Sequence, residues 1–218
     1  ATARDGTVSG HEADIAARMA SSMGVKLRLA RMPFSELLPA LSEGKIDLIL
    51  SGMTMSPARN LKVAFVGPYY VTGKAFLTKK ETFASLKNAD GIDKPEYTVA
   101  ALEGSTSKAN DEKVLPNAKL VATGNYDEAL DLVIRDQATA MVADHHFCLV
   151  SAARFKEKGL ATVTAPFTYE PIGVAMPDGD PLLVNWVQNF LVSLNGSGEL
   201  VKMTERWFKD SSWLKELP

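Results

Sequence analysis

The sequence holds one cysteine, Cys148, among its 218 residues. A lone cysteine excludes an intrachain disulfide, and its apolar surroundings favour a small core side chain. No apolar run is long enough to span a bilayer, and the first ten residues lack the basic-then-apolar pattern of a signal peptide. We therefore expect no direct membrane insertion, and a signal already removed here if the protein is exported.

An excess of charge of one sign is also lacking, because 24 Lys and Arg stand against 26 Asp and Glu, for a formal net charge of -2. Without a basic run there is no electrostatic reason to expect nucleic acid or an anionic membrane surface as a partner. Hydrophobic residues make up 46% and charged residues 23%, as in ordinary globular proteins. A small-molecule ligand is the expected partner, and no cofactor is predicted.

Apolar clusters of strand length alternate with segments of helical period, which predicts an α/β fold with largely parallel sheets. Helices are predicted at residues 12–23, 34–43, 107–115, 126–135, 145–158, 181–196 and 199–208. Strands or extended pieces are predicted at residues 26–32, 47–51, 75–79, 97–102, 119–122, 139–143, 161–165 and 172–176. Asn125 with Glu128 forms a capping-box pattern, and Asp180-Pro181 has the form of a helix start.

The stretch at residues 81–96 interrupts this alternation and separates two series of strands and helices. The second series has no further strands for the C-terminal helices to cover, so we expect the chain to return to the first series of strands. The sequence therefore predicts two lobes. The first comprises residues 1–77 and 171–218, and the second comprises residues 78–170.

The most informative stretch is DLILSGMTMSPARNLKVAFVGPYY, from Asp47 to Tyr70. A predicted strand ends at Ser51, Gly52 allows a close backbone approach, and the Pro after Ser56 opens a short helix. Together with the Thr54 hydroxyl and the Arg59 guanidinium, free N–H groups at this corner suit a carboxylate. An ordinary surface arginine in a turn is an equal interpretation on spacing alone.

The second series also has polar residues where its strands end, three hydroxyl residues and one acid. Ser105, Thr106 and Ser107 close a strand and open a helix, where an anion site and an ordinary helix cap are both possible. Asp144 follows an apolar strand, and an isolated Asp there would first be interpreted as a cap for the helix that begins at His145. An anion at Asp144 in one lobe and a cation at Arg59 in the other favour a binding role, because each charge of a zwitterionic ligand needs an opposite partner.

Other candidate residues carry weaker signals. A ring at Tyr69 or Tyr70 could cover a ligand or fill a buried turn, and His145 could touch a ligand side chain. Histidine and cysteine are zinc ligands, but the spacing of residues 145, 146 and 148 fits no common zinc pattern, so no metal site is predicted. The aromatic residues expected to pack in the core are Trp186, Phe190, Trp207 and Phe208.

The chain resembles a known family, the extracytoplasmic amino-acid-binding proteins of ABC importers, which includes histidine- and glutamine-binding proteins. The resemblance covers residues 5–208 and is carried by DGTVSGHEADIAARMA, EGKIDLILSGMTMSPARNLKVAFVGPYY, ALEGSTS, ATAMVADHH, EPIGVAMPDGDPLLVNWVQNFL and TERWF. The segment SGMTMSPAR before GPYY is its most specific part.

This resemblance implies a type II periplasmic binding protein, or Venus flytrap, with two α/β lobes joined by two crossing strands and an amino acid bound in the cleft. By the same resemblance, the residue at Arg59 holds the α-carboxylate of the ligand. The groups at Gly52 and Thr54, and Thr106 in the other lobe, bind the same ligand. The acid at Asp144 receives the α-amino group.

The sequence departs from the family at its start. Family members begin with a further strand and loop before the segment DGTVSGHEAD, and these residues supply side chains to the cleft. One explanation is that the chain is shortened. Another is that a second chain supplies the missing strand, because a buried strand edge without a partner is costly. The identity of the amino acid and the oligomeric state are therefore left open.

The predicted function is capture without chemistry, in which ligand binding shifts an open–closed equilibrium and a separate ABC permease recognises the closed form. The predicted location is periplasmic or extracytoplasmic. One alternative is the input domain of a sensor or receptor. Another is a dehydratase acting on cyclohexadienyl acids, since relatives on this scaffold include one. Its acid or base would be Glu170 or His145.

Overall fold

A computed structural model describes residues 7–80, 83, 90–210 and 212–216. The chain divides into two compact units. Unit 1 comprises Ala1–Arg31, Leu38–Tyr70 and Pro171–Pro218, and unit 2 comprises Met32–Leu37 and Val71–Glu170. The boundary that the sequence placed after residue 77 falls inside a buried strand, Lys74–Thr78, which belongs to unit 2.

The described elements follow in chain order. The helices are α1 (His11–Met23), α2 (Leu37–Ser42), α3 (Pro57–Asn60), α4 (Thr106–Val114), α5 (Tyr126–Ile134), α6 (His145–Arg154), α7 (Pro181–Gly196) and α8 (Glu199–Phe208). The strands are β1 (Ala64–Thr72), β2 (Lys74–Thr78), β3 (Thr98–Leu102), β4 (Lys119–Thr123), β5 (Ala140–Asp144), β6 (Ala161–Thr162) and β7 (Glu170–Met176). Short 3-10 turns lie at Phe34–Glu36, Lys156–Lys158 and Ser212–Glu216.

Helix α1 covers one side of the core of unit 1. Its apolar residues Ile15 and Met19 lie four positions apart, so they share one face of the helix, and both are buried. The helix ends at Gly24, whose positive φ of 67° places it in the left-handed region that glycine adopts without strain. The helix confirms the prediction for residues 12–23, with its start one residue earlier at His11.

The sheet of unit 1 is formed by β1 and β7. The segment before α3 runs along β7 through two isolated antiparallel bridges, Ile49 with Ala175 and Thr54 with Ile172. The core packed against these strands contains Ile15, Met19, Val66, Tyr69, Ile172, Val174, Met176, Val187, Leu191, Leu194 and Leu200. This arrangement holds the loop of residues 51–56, which contains the first residues of the predicted carboxylate site.

Unit 2 is built on a five-stranded mixed sheet with the order β4-β3-β5-β2-β6. Strand β3 pairs in parallel with β4 and β5, whereas β2 pairs in antiparallel fashion with β5 and β6. Every residue of β2 and of β5 is buried, as expected for central strands covered on both faces. The sheet is thus mixed, and the prediction of largely parallel sheets is wrong for its β2 side.

Two predicted helix caps are confirmed. The Asn125 side chain accepts a hydrogen bond from the N–H of Glu128 at 2.9 Å, and the Glu128 carboxylate accepts one from the N–H of Gly124 at 2.8 Å. At the start of α7, the Asp180 carboxylate accepts a hydrogen bond from the N–H of Leu183 at 2.9 Å, with proline in the first turn. Both caps satisfy N–H groups that the first helical turn leaves without partners.

The strand predicted at residues 26–32 is wrong. This segment pairs with no strand in the part of the chain that the structure describes. Its alternating apolar side chains Leu27 and Leu29 are exposed, at 43% and 46%, as is Val25 before it at 58%. The alternation is typical of a strand with one buried face, but a strand forms only where a neighbouring edge accepts its hydrogen bonds.

Smaller corrections concern four other segments. The strand predicted at residues 47–51 reduces to the single bridge at Ile49. Helix α6 ends at Arg154 and is followed by a 3-10 turn, and β6 spans two residues only. The long strand β1 was missed because Gly67-Pro68 interrupts it, and proline normally argues against a strand. Residues 81, 82 and 84–89 of the predicted interruption lie outside the described residues.

The helices in the described part of the chain were also considered as membrane spans. Among these residues, no helix combines the length and the apolar character needed to cross a bilayer.

Gly73 precedes β2 at a position with no room for a side chain. A Cβ atom there would lie 1.9 Å from the backbone oxygen of Thr168 and 2.7 Å from Cβ of Pro166. We expect Gly73→Ala to lower the free energy of unfolding by about 3 kcal/mol, as overpacking of a fixed backbone does. The matched control is Gly179→Ala, where an added Cβ meets nothing within 4 Å. Equal denaturation midpoints for the two variants would contradict the packing around Gly73.

Candidate functional site

The loop at the start of the predicted carboxylate site is held by a carboxylate of the protein itself. Gly52 has a positive φ of 59°, and its N–H donates to Oε1 of Glu12 at 2.6 Å. The hydroxyl of Tyr69 donates to the same oxygen. The N–H of Gly52 is therefore already bonded within unit 1, while the neighbouring Ser51 is exposed. Glu12 orders this loop, and the sequence analysis did not identify it.

The guanidinium of Arg59 is fixed to the same loop. Its Nη1 donates to the backbone oxygen of Thr54 at 3.0 Å, and the Thr54 residue is buried. Ser56 caps α3, since its Oγ accepts the N–H of Arg59 at 3.3 Å, and Pro57 occupies the first turn as predicted. Arg59 is half-buried. One cation is thus held in a defined orientation beside the loop of residues 51–56.

Tyr70 lies in an aromatic cluster of unit 1. Its ring centroid is 4.8 Å from that of Phe208 and 5.9 Å from that of His11. His11 is buried, and its Nε2 lies 3.0 Å from Oγ1 of Thr204. These contacts place Tyr70 in packing within unit 1.

The other aromatic residues expected in the core behave as predicted. Trp186 and Phe190 stack with ring centroids 5.4 Å apart and pack against the core of unit 1. Trp207 is buried, and its indole N–H donates to Asp14 at 2.7 Å.

In unit 2, the three hydroxyl residues of the predicted second corner have three different roles. Ser105 is the cap of α4, and its Oγ accepts the N–H of Lys108 at 3.1 Å. The Thr106 hydroxyl donates to Oε2 of Glu170 at 3.2 Å. Ser107 is fully buried, and its Oγ has no hydrogen-bond partner among the described residues.

Asp144 is buried, and it occupies the cap position of α6 without making a capping hydrogen bond. Its Oδ1 instead accepts a hydrogen bond from Nζ of Lys74 at 2.7 Å. The two residues are direct partners across the antiparallel pair of β2 and β5, so the strand register places them side by side. The cap interpretation of Asp144 is therefore wrong, and its carboxylate belongs to a buried ion pair.

Glu170 is the third member of this buried cluster. Its Oε2 lies 3.8 Å from Nζ of Lys74, and its Oε1 accepts a hydrogen bond from the Thr168 hydroxyl at 3.1 Å. Thr168 in turn accepts the backbone N–H of Lys74 at 3.0 Å. One lysine and two acids, Lys74, Asp144 and Glu170, give the cluster a formal charge of -1.

Lys74 was missed by the sequence analysis, although a signal was present. It is the single charged residue of the segment KAFLT, whose other members are those of a buried central strand. A lysine at such a position is buried only when an acid pairs with it. Searching for that acid at the end of the neighbouring strand would have led to Asp144.

The residues considered for a metal have separate partners within unit 2. Nε2 of His145 lies 3.0 Å from the backbone oxygen of Val163, and Nδ1 of His146 lies 3.3 Å from Oγ1 of Thr72. Cys148 is buried, and burial raises the pKa of its thiol to about 12. Within the described ranges, no three His, Cys, Asp or Glu side chains are grouped so that they could hold a metal ion.

Asp111 lies one turn after Ser107 on α4 and is buried, with 2% of its surface exposed. Its Oδ2 has no hydrogen-bond partner among the described residues. Burial raises the pKa of this carboxyl to about 7, and the nearby charge of Lys74 opposes the rise. The carboxyl of Asp111 is thus protonated in a large fraction of molecules near neutral pH.

We expect the contribution of Asp111 to the free energy of unfolding to fall as the pH rises from about 4 to 7, because the unfolded carboxyl of Asp111 releases its proton before the folded one does. The rise in pKa from the ordinary value of 3.8 to the folded value of about 7 corresponds to about 4 kcal/mol. Asp111→Asn removes this contribution, which denaturant unfolding at pH 5 and pH 8 would show. The control Asp178→Asn, at an exposed residue, keeps it. An unchanged pH profile in Asp111→Asn would contradict the burial of this carboxyl.

Comparison with known proteins agrees with this architecture. The model of the bacterial extracellular solute-binding proteins, family 3, matches residues 1–210. The glutamine-binding protein GlnH of an ABC transporter from Bacillus subtilis is 26% identical, over 94% of this chain and 74% of its own length.

Solved structures extend the similarity to the fold. A binding component of an ABC transporter from Wolinella succinogenes, in complex with lysine, is 36% identical with a TM-score of 0.92, covering 98% of this chain and 92% of its own. The ancestral amino-acid-binding protein AncCDT-1, a precursor of cyclohexadienyl dehydratase, is 35% identical with a TM-score of 0.86, covering 95% and 88%. This chain belongs to family 3 of the bacterial extracellular solute-binding proteins, and its fold is the type II α/β fold of periplasmic amino-acid-binding proteins.

Proposed function

We propose that this chain captures a free α-amino acid outside the cytoplasm and delivers it unchanged to the permease of an ABC importer. The observation that carries the proposal is a pair of fixed, opposite charges. Unit 1 holds the guanidinium of Arg59 against the Thr54 carbonyl, and in unit 2 the acids Asp144 and Glu170 outnumber Lys74. An α-amino acid carries one charge of each sign, and charges removed from water need opposite partners.

Unit 1 supplies the groups for the α-carboxylate in this proposal. The planar guanidinium of Arg59 donates two parallel hydrogen bonds to a carboxylate, a geometry that lysine does not reproduce. Thr54 contributes the carbonyl that orients this guanidinium. Gly52 holds the loop of this site through its N–H, which is bonded to Glu12.

Unit 2 supplies the groups for the α-ammonium. The negative cluster at the end of β5 and the start of β7 carries the charge that an ammonium requires, and Thr106 donates to one of its acids. No step in this arrangement breaks or forms a covalent bond. Capture, release and a change in the populations of conformations are sufficient for delivery to a permease.

The names of similar proteins support the class of ligand. GlnH is a glutamine-binding protein, and the similar structure from Wolinella succinogenes contains lysine. The family is described as extracellular, which supports a location outside the cytoplasm. AncCDT-1 is described as a precursor of a dehydratase. A test of the proposal must therefore include the dehydratase reaction.

The first test is a thermal-shift screen of the protein with the proteinogenic amino acids, their N-acetyl and amide forms, and prephenate. A ligand present at about 100 times its dissociation constant stabilises the native state by about 2.7 kcal/mol, which raises Tm by about 5–10 °C. We expect such a rise with one group of free amino acids and none with their blocked forms. Conversion of prephenate to product, or stabilisation by blocked amino acids, would contradict the proposal.

The assignment of Arg59 is tested by replacing it. We expect Arg59→Ala to weaken binding of the amino acid found in the screen by about 100-fold or more, because a charged hydrogen-bonded partner of the carboxylate is lost. Isothermal titration calorimetry measures this loss. Arg59→Lys keeps the charge without the forked geometry and recovers only part of the affinity.

The matched control is Arg18→Ala, since Arg18 is an exposed arginine of unit 1 whose ion pair with Glu199 lies at the surface. Its affinity for the amino acid is expected to equal that of the unmodified protein. Near-native affinity in Arg59→Ala would remove Arg59 from the site.

A further inference from the structure

The buried lysine of unit 2 changes which acid is available to a ligand. Nζ of Lys74 lies 2.7 Å from Oδ1 of Asp144 and 3.8 Å from Oε2 of Glu170. The side chains of Lys74 and Asp144 are only 3% and 5% exposed. At this distance and burial the pair is held by direct contact, with little screening by water.

The charge of Asp144 is therefore already compensated within the protein. A ligand ammonium placed against Asp144 alone would lie close to the ammonium of Lys74, and the two cations would repel each other in a medium of low dielectric constant. Moving Lys74 away would leave its own charge buried without a partner, which is strongly unfavourable. An ammonium in this region needs a second anion.

Glu170 is that second anion. It is the member of the cluster whose side chain is most exposed, at 11%. Its two oxygens accept one hydroxyl hydrogen bond each, from Thr168 at 3.1 Å and from Thr106 at 3.2 Å. A carboxylate has about four lone-pair sites, so Glu170 keeps capacity for a further donor.

We infer that Glu170 is the acceptor for the α-ammonium of the ligand, and that Lys74 and Asp144 form a neutral pair that positions it. This inference rests on the proposed function and assigns a residue to the same site. The hydroxyls of Thr106 and Thr168 orient the carboxylate of Glu170. An arriving ammonium brings the formal charge of the cluster from -1 to zero.

The inference also specifies the ligand class at the α position. A 2-hydroxy acid has the same carboxylate and side chain as the amino acid but no ammonium, so it leaves the cluster with its negative charge uncompensated. The protein therefore prefers an amino acid over its 2-hydroxy counterpart, and that preference depends on the charge of Glu170. A residue that only supports the fold would affect both ligands alike.

The test is calorimetric titration with L-lysine, L-arginine and L-glutamine, each beside its 2-hydroxy acid. We expect Glu170→Gln, which keeps the shape of the side chain, to lower affinity for the amino acid by about 100-fold, the effect of losing a charged partner. Affinity for the 2-hydroxy acid is expected to change by less than about 5-fold, since Gln still accepts hydrogen bonds. Glu170→Asp keeps the charge and is expected to recover part of the preference for the amino acid.

The matched control is Glu157→Gln, at an exposed acid of unit 2, which is expected to bind like the unmodified protein. Far-ultraviolet circular dichroism and Tm verify that each variant is folded. If Glu170→Gln keeps its full affinity for an amino acid that the unmodified protein binds, or loses both ligands equally, the inference is overturned while the proposed function stands. If the unmodified protein binds none of the three amino acids, the titrations use the amino acid that raises Tm most in the thermal-shift screen. If no free amino acid raises Tm, the proposed function fails and the inference fails with it.

Discussion

The ion pair between Lys74 and Asp144 joins two neighbouring strands in the interior of unit 2, and the other charged groups nearby are arranged around it. The antiparallel register of β2 and β5 places these two residues opposite each other. Breaking a buried pair by removing one partner costs about 3–5 kcal/mol, so neither side chain can leave without a replacement. The pair accounts for one positive and one negative charge. The charge that remains, on Glu170, is the one that we infer to be available to a ligand.

In unit 1, a carboxylate of the protein likewise orders the loop of residues 51–56, which is part of the predicted carboxylate site. Glu12 accepts the N–H of Gly52 and the hydroxyl of Tyr69. The cation of this unit, Arg59, is held by the carbonyl of Thr54. In each unit a charged group is fixed by the protein before any ligand arrives. Such preorganisation lowers the entropy that binding would otherwise cost.

Much of the fold could be predicted from local sequence patterns. The helix caps at Asn125 and Asp180 depend on residues three positions apart or fewer, so the sequence alone identifies them. The segment at residues 26–32 shows the limit of this reasoning. Its alternation of apolar and basic residues is that of a strand, yet whether a strand forms depends on a neighbouring edge that local patterning does not contain. The missed strand β1 has the opposite cause, because a Gly-Pro pair hides a long extended segment.

In the candidate site, too, local features could be predicted from the sequence and long-range contacts could not. The local structure around Arg59 could be predicted from spacing, because the cap at Ser56 and the short helix follow each other in sequence. The partnership of Lys74 with Asp144 joins residues far apart in sequence, and only the strand register reveals it. Glu12 is likewise distant from Gly52 along the chain. Roles that depend on long-range contacts are the ones that the sequence leaves open.

The most direct measurement is a crystal structure of the protein grown with the amino acid that raises its Tm most. We expect the ligand carboxylate to lie within hydrogen-bond distance of the Arg59 guanidinium. We expect the ammonium to lie within that distance of Glu170, with the pair of Lys74 and Asp144 intact. An ammonium bound to Asp144 with Lys74 displaced, or a carboxylate away from Arg59, would contradict the account.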